Sequence, residues 1–296
     1  MSLRDFTILV VICAVWASNN IISKIVVTDL GIPPLIYSAL RFGIVALAMS
    51  PWLLPAPKPL WRVIIVALLM GGGNFSLMFI GLQTATPSAS AVVMQMGVPM
   101  TILLSMVILR EEVGIRRGVG IALSLGGALV VIWNPEGLAL SAGLFYIAAA
   151  CLLYSIGAVM MKGMEIKPLQ LQAWVGFSSF WPLIVLSGLV EHGQFASLQT
   201  HLVPFLAALI YSALVVSVIA HTIFYGLIQR YDASLLQPIT LLTPLLTIFG
   251  GVLITHDPFG WRMAVGATIA LAGVLIIVLR VRHVAGVMQM FQRSAP

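Results

Sequence analysis

Apolar residues fill this chain in ten long blocks, each stopped by a short polar or turn-forming stretch. A helix of roughly 20 apolar residues crosses a hydrocarbon core of ~30 Å. The blocks reach that length at about 6–28, 34–54, 62–84, 87–109, 115–133, 141–162, 168–190, 202–228, 233–255 and 260–280. Their ends have physical causes. Pro33 and Pro34 after Gly31, Pro55 and Pro59, and Asn134 with Pro135 and Gly137 are turn chemistry that stops helices. Residues 110–117 carry two glutamates and three arginines, too polar for lipid. Thr84 to Ser88 and Arg230 to Asp232 leave room only for tight hairpins. The pattern predicts an all-α, polytopic membrane protein of ten transmembrane helices. The first block runs on to Val27, longer than the apolar region of a cleaved leader, so it reads as an uncleaved first helix.

Composition removes the soluble alternative. Of 296 residues, 60% are hydrophobic and 8% are charged, against roughly a quarter charged in soluble domains. Cys13 and Cys151 lie inside apolar blocks and read as small packing residues.

The net charge of +6 sits in short loops, where it sets topology rather than recruiting nucleic acid, and no nucleic-acid partner is expected. With the N-terminus in the cytoplasm, Arg4, Lys58, Arg62, Arg110, Arg116, Arg117, Lys162, Lys167, Arg230, Arg280, Arg282 and Arg293 fall inside. Lys24 and Arg262 fall outside, and Arg41 lies within the second block. Twelve against two is a strong positive-inside bias. Both termini are expected in the cytoplasm, with 281–296 a basic tail on the membrane surface.

The second half echoes the first. Pro99 and Pro244 are 145 residues apart, as are Glu112 and Asp257. Gly120 and Gly127 match Gly266 and Gly273 with one residue of drift. Cys13, Trp16 and Lys24 match Cys151, Tyr154 and Lys162. Five helices per copy is an odd number, so the copies must cross in opposite directions. The expected units are residues 1–137, the inverted copy 138–280, and the tail 281–296. Secondary transporters use this architecture, with a binding site near the midplane between the halves.

Ten helices in a 5+5 repeat, with an acidic residue and a basic loop leading into a glycine-rich fifth helix, resemble the drug/metabolite transporter superfamily. The matching runs are Leu109 to Glu112 through Gly118, Gly120 and Gly127, and Thr255 to Asp257 through Gly266 and Gly273. More narrowly, the chain is similar to the EamA-type members, bacterial amino-acid exporters among them. The resemblance implies a basket in a bacterial inner membrane, its cavity lined mainly by helices 1, 3, 4, 6, 8 and 9, with 5 and 10 peripheral. It implies a small-molecule substrate, an amino acid or related metabolite, and no cofactor. A monomer in the lipid bilayer is expected, with a dimer as the alternative.

Polar groups inside spans are costly and face a bundle interior or an aqueous cavity. Asn20, Asn74, Gln95 and Gln237 read either as path-lining groups or as interhelical hydrogen-bonding partners. His221, the histidine deepest in a span, is either a neutral structural imidazole or a substrate ligand and proton-linked switch. Trp16 and its repeat partner Tyr154 either pack at the pseudo-twofold axis or grip the substrate side chain. Tyr225 adds a hydroxyl beside His221. Pro99 and Pro244 each remove a helical hydrogen bond and kink their helices, as two gates would need and as static bundles also show. Every Asp and Glu lies at a helix end or in a loop. A buried carboxylate for ion coupling or for a cationic drug is therefore missing, as is a Lys or Arg cluster for a phosphorylated substrate. Export of neutral, including aromatic, amino acids is the leading expectation. Broad drug efflux is the alternative; an intramembrane enzyme fits less well, since no zinc, aspartate-pair or serine motif is present.

Overall fold

The computed structural model describes residues 1–110, 113–134, 139–162, 164–194, 200–231 and 233–279. The predicted tail 281–296, Glu112 and the boundary at Gly137 lie outside them. Helix α1 is Leu3–Thr28, α2 is Pro34–Ala48 and α3 is Leu60–Leu82. Helix α4 comprises Pro87–Met94 and Gly97–Leu109. Helices α5, α6 and α7 are Ile115–Ile132, Ala142–Met161 and Pro168–Val190. Helix α8 runs through Leu202–Ile210, Tyr211–Ala220 and His221–Arg230. Helix α9 comprises Ala233–Thr240 and Leu242–Ile254, and α10 is Trp261–Val278. Between α5 and α6, Trp133–Asn134 pairs antiparallel with Ala139–Leu140.

Eight of these helices are long and apolar enough to cross a membrane; the second and ninth blocks hold shorter apolar helices, Pro34–Ala48 and Pro238–Ile254. The second block falls short for a visible reason. Pro51 cannot donate a backbone hydrogen bond, and the chain tightens into a 3-10 turn over Ser50–Trp52. Fifteen residues rise only roughly 22 Å. The ninth block is broken around Leu241, where Thr240 lies four residues before Pro244.

Proline and glycine shape the bundle elsewhere too. In α4 the winding tightens over Gln95 and Met96: Gln95 N–H bonds Val92 O and Met96 N–H bonds Val93 O. Pro99 has no N–H to give the Gln95 carbonyl, which accepts instead from Val98 at 3.4 Å. Helices α3 and α8 both widen into π turns, at Leu68–Gly73 and Tyr211–Ala220. Such turns free carbonyls and are frequent at functional sites.

Helices α5 and α10 pack along a glycine seam, Gly120 against Gly273 and Gly127 against Gly266. Small residues let membrane helices approach closely where no hydrophobic drive separates lipid from protein. Around the outside, large apolar side chains are bare: Val107 and Val203 are each 79% exposed, Leu189 74%. In water that surface would aggregate; in lipid it is solvated. The chain is a multi-pass membrane protein.

Acidic side chains fasten helix ends. Glu191, after α7, accepts the Leu35 and Ile36 amides at the start of α2, at 2.7 and 2.9 Å. Asp257, after α9, accepts the Ser88 amide at the start of α4, at 2.8 Å. Both satisfy amides that a helix N-terminus cannot pair internally.

Candidate functional site

A cavity of about 350 Å³ lies among eight helices, α1–α4 and α6–α9. Two other hollows lie on the seam between α1 and α8, outside the bundle's centre. Helices α5 and α10 contribute nothing to the central wall among the described residues. The expected six helices are joined by α2 through Phe42 and by α7 through Leu171, Gln172 and Val175.

Of the residues singled out in the sequence, Trp16, Asn20, Asn74, Tyr154 and His221 line this cavity. Trp16 packs edge-on to Phe224, with ring centres 4.9 Å apart, and lies 5.3 Å from the His221 ring. Its indole N–H has no hydrogen-bond partner among the described residues. The His221 Nδ1 is 2.7 Å from the Val216 carbonyl, which also accepts the His221 backbone N–H in the π turn of α8. Asn74 donates to the Ala150 carbonyl of α6 at 2.9 Å, tying α3 to α6 while lining the cavity.

Gln95 is placed differently. It caps the first part of α4, and Met94, Gly97 and Val98 line the wall there instead. The tight turn four residues before Pro99 changes the helix register, which periodicity alone does not reveal. Pro99 and Pro244 are buried and lie just after the breaks in α4 and α9. The side chains of Tyr225 and Gln237 lie outside the described residues.

Other polar residues lie in this wall or just behind it. Asn19 lines the cavity and accepts a hydrogen bond from Ser212 at 2.9 Å. Gln172 donates to the Ser217 carbonyl at 3.3 Å. Arg41 is the largest omission from the candidates read in the sequence, because a search for clusters of cations passes over a single one. It is fully buried, and its Nε and Nη2 both donate to Ser217 Oγ, at 3.1 and 2.9 Å. Its guanidinium carbon stands 4.2 Å from the centre of the Phe75 ring. The signal was present: one arginine inside an apolar span is itself a functional pointer. Among the described residues, no Asp or Glu lines the cavity.

Bundle and cavity together define a polytopic membrane protein with an internal, mixed polar and aromatic chamber. The EamA-like transporter family matches the chain twice, over residues 6–133 and 141–279, and the chain belongs to that family. It is 26% identical over 300 residues to a probable amino-acid metabolite efflux pump of Salmonella typhimurium, covering 97% of this chain and 99% of the relative. A probable amino-acid metabolite efflux pump of Escherichia coli K12 is 24% identical, covering 95% and 97%. A crystal structure sharing 17% identity has a TM-score of 0.61, covering 95% of this chain and 97% of the other, and shares the fold.

Proposed function

We propose that this chain is an alternating-access exporter of neutral, including aromatic, amino acids and related metabolites. The observation that carries this reading is the central chamber, where amides from Asn19, Asn20, Asn74 and Gln172 meet the aromatic faces of Trp16, Phe75 and Tyr154. That lining suits a small molecule with one polar and one apolar end. The efflux pumps of Salmonella and Escherichia coli supply the substrate class.

All ten helices cross the membrane in this reading, in two inverted copies. The double family match, the paired π turns of α3 and α8, and the reciprocal glycine seam of α5 and α10 support it. With the termini in the cytoplasm of a bacterial inner membrane, α7 starts on the inner side. Leu171 and Gln172, near that start, then extend the cavity lining toward the cytoplasmic face, while Asn20 and Met78 lie past the middle of α1 and α3, so the cavity spans the midplane. Export begins by loading from the cytoplasmic side. Pro99 and Pro244 serve as the two gates' flexible points.

Reconstituted vesicles preloaded with labelled phenylalanine test this. Saturable efflux that unlabelled amino acids reduce is expected. Flux restricted to sugar phosphates would sink it, because no cluster of cations lines the chamber among the described residues. Broad-specificity efflux is the second reading, favoured by Met70, Met78 and Met94 in the wall, whose flexible side chains adapt to many shapes.

A further inference from the structure

We infer that Arg41 is the carboxylate anchor of this chamber, making the site selective for the acidic end of its substrate. The assignment rests on the transport reading above and names which part of the substrate is recognised. Arg41 is fully buried in α2, and no carboxylate pairs with it among the described residues. A guanidinium keeps its charge at physiological pH, and a buried charge without a counter-ion destabilises the protein that holds it. Its two known hydrogen bonds go to one neutral hydroxyl, Ser217 Oγ. Nη1 has no partner.

Geometry brings that charge to the chamber wall. Ser217 and Phe75, which hold the guanidinium, both line the cavity, as does Phe42, its neighbour in the chain. Arg41 therefore lies one side chain behind the surface a substrate touches. Ser217 passes its own hydrogen on to the Ser212 carbonyl at 3.0 Å, leaving its oxygen to the guanidinium. With Nε and Nη2 held by Ser217, Nη1 is the donor left to reach a carboxylate oxygen, and the charge strengthens that bond. The opposite end of a zwitterion finds no such partner, since no Asp or Glu lines the wall among the described residues. Amides and ring faces are left for the ammonium group. The chamber should thus require the carboxylate and tolerate loss of the amine.

The test compares three ligands that share a phenyl group: phenylalanine, 3-phenylpropionate without the amine, and phenethylamine without the carboxylate. Each is measured on the full-length protein as a competitor of labelled phenylalanine efflux and as a shift in melting temperature in detergent. Wild type should respond to the first two and hardly to the third. R41Q should lose at least about tenfold in apparent affinity for the two carboxylates, the scale of a lost charged hydrogen bond, and stop distinguishing them from the amine. R41K keeps the charge without the fork and should fall between. If R41Q does not fold, S217A removes the hydroxyl that orients the guanidinium and should weaken the same preference.

A structural strut would lower the melting temperature of the variants without changing the order of the three ligands. That outcome, or a wild type that prefers phenethylamine, overturns the anchor. Wild-type vesicles that move no amino acid overturn the transport reading instead, and the ligand-induced melting shifts still decide the role of Arg41.

Discussion

Gly127 of α5 and Gly266 of α10 meet backbone to backbone. A Cβ on Gly127 would stand 2.6 Å from the Gly266 carbonyl oxygen, and one on Gly266 2.8 Å from that of Gly127. Gly120 and Gly273 repeat the relationship at 2.8 and 2.7 Å. The sequence repeat pairs Gly120 with Gly266 and Gly127 with Gly273, so each glycine faces the counterpart of the other.

Adding a methyl group in this seam forces the two helices apart. G127A should destabilise the protein by about 1–3 kcal/mol, the usual cost of overpacking. G126A lies next to it with nothing within 4 Å and should be neutral or slightly stabilising. Melting temperatures of the two variants in one detergent make the comparison. Equal values would mean that α5 and α10 do not meet along this seam.

The carboxylates at helix ends should matter for stability. E191A leaves the Leu35 and Ile36 amides without their acceptor, and D257A does the same to Ser88. A lost hydrogen bond to a charged group costs about 1.5–3 kcal/mol. Both variants should melt below wild type, whereas H192A, beyond the end of α7, should not. Melting unchanged in E191A would remove the cap from the account of α2.

The proposed orientation rests on the charged loops and can be tested by labelling. Cys13 and Cys151 are buried, so an introduced cysteine can be labelled against little background. A membrane-impermeant maleimide added to intact cells should reach a cysteine at His192 and miss one at Arg116. The reverse pattern would invert the topology and dissolve the positive-inside argument.

Much of this fold is readable from the chain because its helix ends are chemically marked. The blocks expected at 87–109 and 168–190 are observed as Pro87–Leu109 and Pro168–Val190. Each opens on a proline, which a first helical turn accepts. The second block was harder because Ser50–Trp52 lies within an apolar stretch, and composition does not separate a 3-10 turn from a helix. The site was half legible. Trp16 and Tyr154, paired by the repeat, both reach the cavity wall. Gln95 does not, since the break before Pro99 alters a register that a regular helix would have kept. Arg41 could be placed in a helix by counting. Its contacts with Ser217 and Phe75 depend on how α2, α3 and α8 pack, which no local pattern encodes.

The prolines separate a moving bundle from a static one. In α4 the Gln95 carbonyl lacks an α-helical donor because Pro99 has no N–H, and the helix breaks just there. In α9 the same relation holds between Thr240 and Pro244. Replacing either proline with alanine restores the donor and should straighten the helix. In a rigid scaffold, P99A and P244A should be neutral or mildly stabilising and leave flux unchanged. In an alternating-access carrier each change stiffens one gate, so it should shift the balance between inward- and outward-open states, in opposite senses for the two variants. Single reporter cysteines at Val98 and at Thr243, which line the cavity just before the two prolines, labelled from each side, read that balance in vesicles of known orientation. Flux should fall in both variants while the two labelling patterns move in opposite directions. Normal flux with unmoved labelling would make both prolines packing features and end the gating role given to α4 and α9.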